Sequence, residues 1–125
     1  MIILTATHKE QIETLALRFF MDIYALIWRS HAQDDAFDQQ AFNERMPALF
    51  TWLTQLKSQS KLLACGGGGF ETSPGGLTII YAESPEEAIA IANQSPLADM
   101  GTTEIMFWGL FHANLRMNLD DPRLQ

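Results

Sequence analysis

With 125 residues, the chain is one domain, long enough to bury a core without disulfide or metal staples. Fifteen acidic residues against eight basic ones leave a formal charge of −7, which excludes electrostatic capture of nucleic acid or anionic lipid as a main function. A single cysteine, Cys65, points to a reducing compartment, no apolar run approaches the ~18 residues of a membrane span, and the first residues lack the pattern of a secretory signal, so a cytoplasmic location is expected.

Residues 8–29 support two readings. Ile12, Leu15, Ala16, Phe19, Phe20, Ile23, Leu26 and Ile27 trace one face of a helix. Residues 19–28 also read as a strand, with Phe19, Met21, Ile23, Ala25 and Ile27 on one face and Phe20, Asp22, Tyr24, Leu26 and Trp28 on the other. If 19–28 is the strand, residues 1–17 are an extension; if 9–28 is helix, residues 2–6 are the first strand. The stretch 31–38 is a polar, acidic connection. A helix is predicted over 38–58, where Phe42, Met46, Leu49, Phe50, Leu53 and Leu56 form one apolar stripe. Pro47 inside that stripe predicts a kink or a second helix start.

Lys61 to Cys65 reads as a short strand. Gly66–Gly69 and Ser73-Pro74-Gly75-Gly76 then bracket a predicted loop, and Leu77 to Ala82 has strong β composition. Ser84-Pro85-Glu86-Glu87 is a capping box with proline at the first helical position, and Ser95-Pro96 ends that helix. Glu104 to Ala113 is the predicted last strand, and the chain from Asn114 reads as a loose tail. Either reading of the first segment gives β-α-β-β-α-β, the split βαβ arrangement.

The order of these pieces resembles the YCII-related family. The matching stretches are Arg18-Phe19-Phe20-Met21, Trp52-Leu53 with Leu56, Lys61 to Gly67, Gly76-Leu77-Thr78-Ile79-Ile80, Ala82 to Ala88, and Ser95-Pro96-Leu97 with Gly101. The resemblance covers residues 18–113, between an extension over 1–17 and a tail over 114–125. It implies an α+β, ferredoxin-like fold: a four-stranded antiparallel sheet with helices on one face, pairing with a second copy into a dimeric α/β barrel. It also implies a small organic molecule as ligand or substrate, because relatives include a lactone-processing dehalogenase. Some members carry a His in the first helix and an Asp before the proline after the second helix, proposed as a catalytic pair. Counting along this chain puts those positions at Leu49 and Ser95, neither of which is a proton-transfer group of that kind.

Candidate site residues follow from strand alternation. On the last strand Ile105, Phe107, Gly109 and Phe111 suit the helix side, leaving Glu104, Met106, Trp108, Leu110 and His112 toward a cleft. On the first strand Asp22, Tyr24 and Trp28 share a face of similar mixed character. Asp22, Tyr24, Glu104 and His112 are therefore the expected polar groups of a small-molecule cleft, with Trp28 and Trp108 as its walls. The same aromatic residues equally suit a homodimer interface, which would make the protein a non-catalytic module. No cofactor or metal is expected: His8, His31 and His112 have no histidine at ligand spacing, and Gly66–Gly69 lacks the Lys-Ser/Thr of a phosphate loop. Cys65 in an apolar strand reads as an inert, buried thiol.

Overall fold

The computed structural model describes residues 21–112; the expected extension over 1–17 and tail over 114–125 lie outside the described residues. Asp22–Ser30 forms the first strand, β1. Its aromatic and β-branched content prevails over the helical periodicity because this strand pairs on both edges, with all its backbone polar groups able to enter a ladder.

The predicted helix over 38–58 is two helices, α1 (Gln39–Glu44) and α2 (Met46–Ser58), broken at Arg45. Asp38 caps α1 by accepting a hydrogen bond from the Ala41 N–H at 3.0 Å. Pro47 stands in the first turn of α2, where its missing N–H costs nothing. Strands β2 (Leu62–Phe70) and β3 (Ser73–Ala82) follow, then α3 (Pro85–Asn93), a short 3₁₀ turn (Ala98–Met100) and β4 (Gly101–Phe107). Ser84 caps α3 as predicted, accepting from the Glu87 N–H at 3.1 Å, with Pro85 at the helix start. The sheet order is β2-β3-β1-β4, every pair antiparallel, with helices packed on one face: the α+β, ferredoxin-like arrangement.

Two strand boundaries differ from expectation. The glycine segments are not a loop. They are the paired ends of β2 and β3, with Gly67 opposite Gly76, Gly68 opposite Gly75 and Gly69 opposite Pro74. Glycine reaches extended backbone as readily as any residue, and no described glycine has positive φ. The chain reverses in Glu71 and Thr72 alone, with Glu71 at φ 49°. The last strand starts three residues early, at Gly101, and stops at Phe107. One further backbone bond follows it, the Trp108 N–H donating to Ile23 O at 2.9 Å near the start of β1.

Side chains directly opposite in an antiparallel sheet share a face. Tyr24, Leu26, Thr78, Ile80, Ile105 and Phe107 thus line the helix side, where Tyr24, Leu26 and Ile80 join Trp52 and Leu56 of α2 and Ala88, Ile91 and Ala92 of α3 in one core. Ile80, fully buried, contributes roughly 1.5–3 kcal/mol by burial alone. The opposite face carries Ile23, Ala25, Ile27, Leu77, Ile79 and Met106, with Leu77 and Met106 exposed. A bulge between Leu62 and Ala64 shifts the alternation of β2, so that Cys65 and Gly67 face the helices and Ala64 and Gly66 the other side.

Candidate functional site

Between α2 and the sheet lies a cavity of about 350 Å³. That is at the small end of the ~300–1,000 Å³ of typical ligand pockets. Its helix wall is Met46, Leu49, Phe50, Trp52 and Leu53; its sheet wall is Leu26, Trp28, Thr78 and Thr103, with the bare backbone of Gly66, Gly67, Gly75 and Gly76. Ser95 and Leu97, from the loop after α3, close one end.

The cavity follows from the sequence. A helix packed on a sheet normally fills the interlayer with side chains from both, and here adjacent positions of β2 and β3 supply only hydrogen atoms. A Cβ built on Gly67 would meet nothing within 4 Å, so the space over this residue is open. Gly75 and Gly101 are of another kind, because a Cβ on Gly75 would overlap Phe70 and one on Gly101 would overlap the Trp28 ring and Arg29 O.

Few polar groups reach the cavity. The Trp28 indole Nε1–H is already used, donating to Leu97 O at 2.9 Å, and the Trp28 ring stacks near Phe42 at 6.3 Å between centroids. Trp52 is buried, and its Nε1–H has no hydrogen-bond partner. A buried unpaired donor costs about 1–3 kcal/mol unless something accepts from it. Cys65, exposed rather than buried as its apolar strand suggests, is the one titratable side chain among the described residues lining the cavity; partial desolvation pushes its thiol above the ordinary value. The loop carrying Ser95 and Leu97 is tied to the start of α2 through Arg45, whose guanidinium donates to Pro96 O at 3.1 Å and pairs with Asp99.

The six residues expected to share a cleft do not converge. Trp28 lines the cavity, on the helix side of the sheet rather than the open side. Tyr24 also faces the helices but lies within the core, its ring edge-on to Phe107 at 5.9 Å. Burial, followed by the charges of Asp22 and Glu86, raises its phenol above the ordinary value. Asp22 is exposed at the start of β1. Glu104 sits on the opposite face, paired with Arg29 at 3.0 Å, and Arg29 lies over the Phe70 ring at 4.8 Å. Trp108 and His112 follow the end of β4 and are exposed, so the expected alternation does not extend to them. The reason for the split is that β1 and β4 pair with Trp28 opposite Thr103, which puts Glu104 out of phase with Tyr24 and Trp28.

Sequence reasoning did not single out Trp52, Thr78, Gly67 or Gly76 as site residues. The available signal was the glycine run itself, which strand alternation would have placed beside a cavity had it been read as strand. Leu49 and Ser95 were reached by counting along the family pattern, and both border this one cavity.

The antiparallel α+β sandwich with a cavity between its helix layer and its sheet defines the class of fold. Within that class the chain matches the YCII-related domain over residues 23–108, and it belongs to that family. No curated protein matches it. Among solved structures it is similar to 5-chloro-2-hydroxyhydroquinone dehydrochlorinase from Burkholderia phenoliruptrix AC1100, a structure holding 2,5-dihydroxybenzoquinone. The TM-score is 0.53 at 21% identity, covering 69% of this chain and 93% of that one, a likeness of fold.

Proposed function

We propose that this protein binds a small, largely apolar organic molecule in the cavity between α2 and the sheet. The carrying observation is an apolar cleft of about 350 Å³ between α2 and the bare backbone of β2 and β3. The hydrophobic walls supply the affinity. A neighbour of the same fold that acts on a chlorinated hydroxyhydroquinone supports a small-molecule role. With Leu49 and Ser95 at the positions the family resemblance gives to its proposed His–Asp pair, the occupant is held without that pair's proton transfer. The polar residues Asp22, Glu104 and His112 lie outside the cavity wall and serve the fold or its surface.

The test is calorimetric titration and thermal shift with hydroxylated and carbonyl-bearing ring hydrocarbons. A compound present at 100 times its Kd stabilises the protein by ~2.7 kcal/mol. If no such compound raises the melting temperature at millimolar concentration, the reading fails.

A second role concerns the other face of the sheet. Leu77 and Met106 are exposed there beside Ile23 and Ile27, and we propose that a second copy covers them, giving the homodimer the family resemblance implies. Sedimentation equilibrium of wild type and Leu77→Glu tests it: a dimer that the glutamate dissociates is expected, and a monomeric wild type would overturn it.

A further inference from the structure

We infer that the chain's own first residues, through Ile12, Leu15, Ala16 and Phe19, cover an apolar ledge formed by Ile89 of α3 and Phe107 of β4. Helix α3 turns Ala88, Ile91 and Ala92 into the core. Glu87 and Ile89 come one residue either side of Ala88, so they project roughly 100° to each side of the core direction, on opposite flanks. Glu87 pairs with Lys61 at 2.9 Å, just before β2 at one edge of the sheet. Ile89 therefore stands toward β4, the opposite edge, on which α3 also packs. Phe107 is the last residue of β4 and lies on the helix side, its ring edge-on to that of Tyr24 at 5.9 Å. Glu86, the neighbour of Ile89 one turn back on the helix surface, acts on the same Tyr24 phenol. Tyr24 is 4% exposed, yet Ile89 and Phe107 at its rim are 49% and 61% exposed.

Three observations commit this ledge to the chain's own beginning. The first is where that stretch ends. It enters β1 at Asp22, two residues before Tyr24, which is the residue paired with Phe107. From Tyr24 back to Phe19 is about 18 Å of fully extended chain at most, so the apolar residues reach the ledge without a long tether. The second is the pattern: Ile12, Leu15, Ala16 and Phe19 recur at the spacing that gathers apolar side chains on one side. The third is charge. In residues 1–20 Lys9 and Arg18 offset Glu10 and Glu13, whereas a second copy would bring its charge of −7 to a ledge bordered by Glu86. Attachment to β1 also holds the segment at an effective concentration on the order of millimolar, which no separate partner has. Leu77 and Met106 lie on the other face of the sheet, so a second copy there leaves the ledge free.

The test is alkylation of thiols placed on α3 of the full-length chain. Ile89→Cys reports the ledge, and Ala90→Cys, at the next and exposed position, reports open solvent. Each protein is treated with a maleimide, and modification at the new thiol and at Cys65 is read separately by peptide mass. The thiol of Ile89→Cys is expected to react about ten-fold or more slowly than that of Ala90→Cys, at a rate that does not change when the protein is diluted. Adding Leu15→Ser and Phe19→Ser should bring the two rates together while the Cys65 rate stays as it was. Circular dichroism checks that the serine variant is folded, and Phe19→Ser alone serves in its place should it not be. Equal rates for Ile89→Cys and Ala90→Cys in the otherwise unaltered chain would overturn the inference, because the ledge would then be uncovered. A rate at Ile89→Cys that rises on dilution would assign the ledge to a second copy and overturn it as well. So would a slow rate that the serine substitutions leave unchanged in a folded protein.

Discussion

The same chemical change, glycine to alanine, should have opposite effects on stability at Gly67 and Gly101. In a strand the added methyl restricts the unfolded chain and favours folding by about 0.4–1 kcal/mol where the site accepts it. At Gly67 the Cβ enters open space, so the whole of that gain is expected. Gly101 also has extended backbone, at φ −163° and ψ −170°, so alanine meets no conformational penalty there. Its Cβ, however, would overlap Arg29 O and the indole of Trp28. Neither neighbour yields freely: Arg29 is held in the β1–β4 ladder, and the indole is fixed by its bond to Leu97 O. Relieving the overlap costs about 1–3 kcal/mol, typical of overpacking a filled interior. If the indole moves away, Leu97 O loses its donor at a further cost of about 1–3 kcal/mol. The net expectation is a loss of about 1–4 kcal/mol for Gly101→Ala against a gain below about 1 kcal/mol for Gly67→Ala. Urea denaturation followed by circular dichroism measures both, with unchanged m values as the check that the comparison is of stability. A Gly101→Ala protein as stable as wild type would refute the steric argument; a Gly67→Ala protein as damaged as Gly101→Ala would refute the open space over β2.

Other outcomes follow from single interactions. Trp28→Phe keeps most of the ring but removes the donor to buried Leu97 O, and should cost about 1–3 kcal/mol by denaturant titration. The hydrogen bond from Arg45 holds the Asp99 carboxyl below its usual range. Its contribution to stability is therefore present above the unfolded-chain value, about 3.9, and is lost as pH falls through the lower folded value. Melting temperatures of wild type and Asp99→Asn should accordingly differ near neutral pH and converge in acid; a constant difference would contradict the pairing. Desolvation raises the Cys65 thiol, so alkylation at neutral pH should be slower than for a free thiol and accelerate with rising pH, and a cavity ligand should slow it further. Rates that ligand leaves unchanged would separate Cys65 from the cavity.

The sequence made the helices easy to find and the strands hard to bound. Ser84-Pro85-Glu86-Glu87 specifies a helix start through local hydrogen bonds, and the structure has it there. Pro47 announced the break between α1 and α2 for an equally local reason. Strand limits depend on partners distant in the chain. Gly66–Gly69 becomes strand only because β3 lies alongside, and β4 begins at Gly101 because it pairs there with Ser30 at the end of β1. The site suffered from the same dependence. Whether Tyr24 and Glu104 share a face is decided by the β1–β4 register, which no pattern within either strand contains. Of the expected site residues Trp28 reached the cavity wall, whereas Leu49 and Ser95, which also line it, were named only as positions lacking the family's proposed pair.

The glycine run in β2 has a mechanical consequence. Sliding Gly66–Gly69 by one position along β3 replaces glycine with glycine, so no side chain within the run penalises the slip. Among the described residues the strand is also at the sheet edge, with a neighbour on one side only. Its alignment is therefore clamped from the ends: Leu62 packed against the core before the bulge, and Phe70 beneath the Arg29 guanidinium at the turn. A sequence error or substitution at either anchor would leave a ratchet without a pawl, and the residue presented to the cavity would change without any change in composition.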